Sequence, residues 1–165
     1  MNFNKKSIYF LLVLALFGFD GCVEYRDDPL CSELNYMSFE EFRAKGVEIS
    51  DPEEIVEAGK IYLYQGILLV AEKNRGVHVI DNVDANDPKA KAFIKVEGNV
   101  DMAVKDGYLY LDSYMDLVVL DIRDMDHIKE VKRVTDSFSY DPYQNYYVEG
   151  CDFNMSRGLI VGGDK

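Results

Sequence analysis

The sequence predicts an all-β chain, an incomplete β-propeller of about two four-stranded blades with a third begun, preceded by a signal peptide and a short helix. Three observations carry this prediction. From Gly59 onward, short apolar runs are cut by turn residues, the spacing expected of all-β folds. Two series of such runs align at an offset of about forty residues, and four strands in that length make one propeller blade. The third run of each series, Val77–Asp81 and Leu117–Ile122, is apolar on both faces. A sheet with one wet face would alternate, whereas stacked blades bury both sides.

Residues 1–21 read as an export signal. "MNFNKKSIYFLLVLALFGFDGC" opens on Lys5 and Lys6 and continues with an apolar stretch from Ile8 to Phe19. That stretch falls short of the roughly twenty residues that cross a bilayer and suits a secretory signal. Gly21-Cys22 resembles a bacterial lipoprotein signal, which implies lipid attachment at Cys22; the alternative is an ordinary signal with a chance cysteine. The nearby acidic residues Glu24, Asp27 and Asp28 are similar to the tags that send some lipoproteins to the outer face of the outer membrane. They also suit a plain solvated tether.

Residues 22–58 are expected to hold a tether and a short helix. "SFEEFRAKG" supplies the helix: Ser38 can cap, Glu41 completes a capping box, and Gly46 can end it. A single turn at Pro52 is expected in the connector to the first strand. Residues 59–165 are the expected incomplete propeller. The first series is Ile61–Tyr64, Ile67–Glu72, Val77–Asp81 and Ala92–Val96. The second is Met102–Lys105, Tyr108–Asp112, Leu117–Ile122 and Lys129–Thr135. Asp106-Gly107 is a hairpin signal because Gly accepts positive φ. At the offset of forty, Leu69 falls on Leu109, Val79 on Val119, Asp81 on Asp121 and Asp84 on Asp124. "CDFNMSRGLIVGGDK" reads as the start of a third unit, aligned with "DMAVKDGYLYLDS" and displaced by about eleven extra residues. A ring needs about four blades, so further blades are expected beyond Lys165; the alternative is an open end covered by another subunit.

"GVHVIDNVDANDP" and "DLVVLDIRD" resemble the LVIVD repeats of β-propeller proteins at bacterial and archaeal surfaces. With "GKIYLYQGILLVAEKNRGVHVIDN" and the Gly-Cys signal, they look like the lipoprotein branch of that family. The resemblance covers residues 59–135 well and 36–58 loosely. It implies a propeller fold and a cell-surface or outer-membrane location; it implies no catalytic residue.

Composition narrows the function classes. The 165-residue chain has a net charge of −12. Lys5 and Lys6 against Asp20 leave residues 1–21 at +1, so residues 22–165 carry −13. Such charge opposes nucleic acid, whose phosphates need Lys and Arg, and electrostatic docking on anionic lipid. Of the three cysteines, Cys31 and Cys151 are left as a pair that an oxidising compartment could join. No zinc spacing, P-loop, GxSxG or dinucleotide fingerprint occurs.

Three candidate sites remain. Asp81, Asp84 and Asp87, with Asn86, form an acidic turn that Asp121, Asp124 and Asp126 repeat. Calcium takes oxygen ligands of this kind, but Asp and Asn also bond their own backbone in turns; the repetition favours the turn. His78 occupies a core-like position and reads as a buried, hydrogen-bonded histidine; His127 sits in a polar turn. "SFSYDPYQNYYVEG" carries Phe138, Tyr140, Tyr143, Tyr146 and Tyr147. These tyrosines either bind a sugar or protein surface or cover a blade edge. The functional expectation is a non-catalytic binding or scaffold module, bound to a membrane by lipid and facing an unknown protein or extracellular polymer. The alternatives are a surface hydrolase with its site in further blades and a calcium-stabilised structural module.

Overall fold

The computed structural model describes residues 34–140 and 155–162. It is built mostly of antiparallel β-strands in three separate sheets, none of them closed. The first four-strand unit comprises β3 (Ala58–Tyr64), β4 (Ile67–Glu72), β5 (Gly76–Asp81) and β6 (Lys89–Lys95). The second comprises β7 (Met102–Lys105), β8 (Tyr108–Ser113), β9 (Asp116–Asp121) and β10 (Lys129–Val134). Within each unit consecutive strands pair in sequence order. All eight expected runs are therefore strands.

The hairpins explain the repeat and correct its register. Gln65-Gly66 and Asp106-Gly107 both have two positive φ angles, 50° and 81° against 52° and 81°, as a tight hairpin turn requires. These two turns are offset by forty-one residues, not forty. The next turn has three residues in the first unit, Lys73–Arg75, and two in the second, Tyr114–Met115. That one-residue difference restores an offset of forty from β5 and β9 onward. The expected match of Leu69 with Leu109 is thus corrected: Leu69 pairs with Val79 and Tyr110 pairs with Val119, so Tyr110 is the counterpart of Leu69. The matches of Asp81 with Asp121 and Val79 with Val119 stand.

Directly paired residues share a face of a sheet, so the faces can be named. In the first unit Ile67, Leu69, Ala71, Val77, Val79 and Ile94 share one face, here the forward face. In the second unit Met102, Leu109, Leu111, Val118 and Leu120 share the opposite, rear face. The two sets join in one buried cluster. The forward face of unit one therefore lies on the rear face of unit two. Lys60 reaches Asp101 at 2.7 Å on one border of this contact, and Lys91 reaches Asp126 at 2.9 Å on the other.

Residues 34–50 hold more regular structure than a tether. β1 (Asn35–Met37) is followed by helix α1 (Phe39–Lys45) and β2 (Glu48–Ser50). Ser38 caps α1 as expected, its Oγ accepting the Glu41 N–H at 3.1 Å, and Gly46 ends it at φ 63°. No helical turn forms at Pro52. β2 adds a fifth strand beside β6. β1 pairs with β11 (Leu159–Gly162).

That last pairing corrects the reading of the third unit. β11 is aligned in sequence with a second strand, but its surroundings match the third strand β5. A Cβ on Gly158 (φ 108°) would come within 2.1 Å of Met37 O; one on Gly76 (φ 141°) would come within 1.9 Å of Ile94 O. Arg157 lies over the Tyr36 ring at 3.9 Å, as Arg75 lies over Phe93 at 5.3 Å. β11 and β1 thus stand to each other as β5 stands to β6. Residues 34–50 run against the chain order, serving β11, unit two through α1, and unit one through β2.

Candidate functional site

The acidic turns are built from their own backbone. Asp81 Oδ1 accepts the Val83 N–H at 3.0 Å, and Asp84 Oδ1 accepts the Asn86 N–H at 3.0 Å. In unit two Asp121 Oδ1 accepts the Arg123 N–H at 3.1 Å, and Asp124 Oδ1 accepts the Asp126 N–H at 3.0 Å. Each is an Asx-turn. Asp87 donates its N–H to Asp84 O and pairs loosely with Lys89 at 3.4 Å. The Arg123 guanidinium, followed by the Arg123 N–H, holds the Asp121 carboxyl down at about 2. The His127 ring, followed by the Asp126 N–H, lowers Asp124. Among the described residues no group of three or more His, Cys, Asp and Glu forms a metal-holding cluster.

His78 is buried and bonded. Its Nε2 lies 2.5 Å from Glu72 Oε2, and its ring packs on Phe93 at 4.5 Å. An ionised carboxylate only accepts, so Nε2 carries the proton. Arg75 Nη1 donates to Glu72 Oε1 at 2.6 Å and its other amino group to Glu53. Burial alone would raise the Glu72 carboxyl, but His78 and Arg75 outweigh it and leave the group below its ordinary value.

Two further held carboxylates lie in unit two, Asp116 buried and Asp112 half-buried. Asp116 is fully buried, and Arg43 of α1 grips both its oxygens at 3.0 and 2.9 Å. The Asp136 N–H adds a bond at 3.1 Å and Arg133 approaches at 3.5 Å. Burial pushes Asp116 up; Arg43, the Asp136 N–H and the Arg133 charge more than reverse that. Asp112 Oδ1 takes three donors, Val100 N at 2.8 Å, Asp101 N at 2.9 Å and Asn99 Nδ2 at 2.9 Å. Here burial prevails and the carboxyl is raised.

Asp112 lies in an open cleft of about 340 Å³, with Asp101, Tyr110, Tyr114, Leu117 and Phe138 among its walls. Flat rings beside a carboxylate suit a ligand with apolar faces and hydroxyl groups. Asp101 is held low by Lys60. Tyr110 and Leu117 also border a second cleft of about 470 Å³ along the same face, with Tyr108, Val119 and Val134. The two clefts run along the forward face of unit two.

Of the expected ligand-binding tyrosines, Tyr140 lies at the rim of this region. Its ring meets Tyr114 edge-on at 6.0 Å and its hydroxyl oxygen accepts the Ile160 N–H at 2.9 Å. It belongs with Phe42, Tyr114, Met115 and Leu159 in a second apolar cluster. Tyr143, Tyr146 and Tyr147 lie outside the described residues, as do Cys22, Cys31, Cys151 and the signal segment. Glu72, Asp112, Tyr110 and Tyr114 were not singled out from sequence. A signal for Asp112 did exist: with the offset of forty-one it ends an apolar strand at the position of Ala71. No protein-family model, curated protein or solved structure matches the chain.

Proposed function

We propose that the chain is a lipid-anchored β-propeller module of the LVIVD-repeat type that works at the outer membrane or cell surface by binding and not by catalysis. Lipid at Cys22 holds it to the membrane, and stacked sheets present a rigid surface to a protein or extracellular polymer. One observation carries the reading. The buried carboxylates Glu72 and Asp116 and the half-buried Asp112 are held by arginines, a histidine or backbone N–H groups, while the forward face of unit two stays open along two clefts. Polar groups spent on rigidity beside an open apolar and aromatic face are the features of a docking surface.

The test is metabolic labelling with a fatty acid in a bacterial host that processes lipoproteins. The wild type is expected to take label and a Cys22→Ala variant none. Unlabelled wild type would overturn the anchor.

A further inference from the structure

We infer that the cleft between α1, β2, the Lys73–Arg75 turn and β6 is a binding site for a small organic carboxylate, and that the chain's own Glu53 fills the site until such an acid displaces it. The cleft has a volume of about 590 Å³ and is lined by residues between Lys45 and Glu97. It shares no residue with the clefts of unit two, and the inference does not rest on the anchor.

Three cations face this cleft, Lys45, Arg75 and Lys95, in a chain with 18 basic and 30 acidic residues. Each has a carboxylate of its own. Lys45 meets Glu97 at 3.0 Å, Lys95 meets Glu48 at 3.0 Å, and Arg75 Nη1 donates to Glu72 at 2.6 Å. Glu48 belongs to β2, Glu72 to β4, and Glu97 to the turn after β6. Glu53 comes in addition to these partners. It lies on the connector 51–57, which holds neither helix nor strand. One of its oxygens accepts from Arg75 Nη2 and the other lies 3.8 Å from Lys95 Nζ. The molecule itself therefore shows that a further carboxylate fits between these two cations.

Arg75 is positioned without help from Glu53. Its N–H donates to Glu72 O and its carbonyl accepts the Val96 N–H, both at 3.0 Å. Its guanidinium lies over Phe93 at 5.3 Å. Glu72 is 1% exposed and is held in turn by His78. Glu72 raises the Arg75 guanidinium more than Glu53 does. A guanidinium fixed along one edge presents its remaining donors to a second carboxylate. Glu53 takes those donors through a weak hold, since its side chain is 29% exposed and that of Arg75 42%, and ion pairs open to water contribute little. An organic acid brings the same charge and the same planar pair of oxygens to the same place.

The experiment titrates the full chain in non-ionic detergent with propionate, the free counterpart of a glutamate side chain, at constant ionic strength. Propionamide is the uncharged control. Binding is read from the ring signals of His78, which touches Glu72, against those of His127, the other of the two histidines. Glu53→Ala is expected to bind propionate saturably. Wild type is expected to bind it about tenfold more weakly, because its site is free for only a fraction of the time. Arg75→Lys in the Glu53→Ala background keeps the charge, loses the fork, and is expected to weaken binding about tenfold or more. Lys95→Gln replaces Arg75→Lys if circular dichroism shows a loss of strand signal. No saturable shift in Glu53→Ala would overturn the site. Binding confined to that variant would overturn the exchange and leave the Glu53 contact an ordinary ion pair. An equal response to propionamide, an equal response of His127, or full affinity in the Arg75 or Lys95 variant would also overturn it. Fatty-acid labelling at Cys22 is read separately, so failure of the anchor and failure of this site are distinguishable.

Discussion

Asp116 and Asp112 show two ways of holding a carboxylate in a sheet, the first fully buried and the second half-buried at an open cleft. Asp116 is paired with Arg43 and Arg133; Asp112 leans on neutral donors from the loop Asn99–Asp101. Removing Arg43 leaves a buried charge short of its main partner, at a cost of about 3–5 kcal/mol. Arg43→Ala is therefore expected to lower the urea midpoint strongly at pH 7. The folded Asp116 carboxyl lies below its ordinary value of 3.8. Its contribution is present above that value and fades as pH falls through the lower folded one. The gap between wild type and Arg43→Ala is thus expected to shrink under acid; a gap constant down to pH values near 3 would contradict the pairing. For Asp112 the sign reverses, because its folded value is raised. Ionised Asp112 opposes folding at neutral pH, and acid relieves that cost. Asp112→Asn keeps the acceptor and is expected to be at least as stable at pH 7. Asp112→Ala strands the donors and costs about 1–3 kcal/mol, read from the same urea curves. Neither partnership was legible in sequence. Arg43 lies 73 residues from Asp116, and a pattern of local spacing holds no record of a partner that only the fold brings near.

Elements repeat more faithfully than residues. The alternation of apolar runs and turn dipeptides marks strands because period two and Gly-containing turns are local properties. That is why eight strands and α1 were legible. β1 and β2 were not, since three residues carry too little pattern. Nor was the place of β11, which depends on Gly158. Its φ of 108° and the approach of Met37 O leave no room for a Cβ. Gly158→Ala and Gly76→Ala are expected to destabilise by more than ~1 kcal/mol each. Hydrogen exchange locates the damage: protection should be lost at β1 and β11 in the first variant and at β5 and β6 in the second. Loss of protection elsewhere alone would contradict the equivalence of the two strand pairs. The acidic turns were legible as turns because an Asx-turn is made by a residue and its near neighbours. With Asp81, Asp84, Asp121 and Asp124 accepting backbone N–H groups, the melting temperature is expected to be the same in calcium and in chelator. A rise of several degrees with calcium would instead assign these turns to the ion.

At the scale of the whole molecule, burial of both sheet faces was readable in the third strands, and it implied stacking. Which face meets which was not, because the extra residue at Lys73–Arg75 shifts the earlier strands by one position and so reverses their faces under a uniform offset. Stacking of the forward face of unit one on the rear face of unit two underlies the fold. It is tested most directly by methyl nuclear Overhauser contacts in the full chain. Cross-peaks are expected between Leu69, Val77 or Val79 and Leu109, Leu111, Val118 or Leu120. Their absence, or cross-peaks from Leu69 to Val119 in their place, would contradict it.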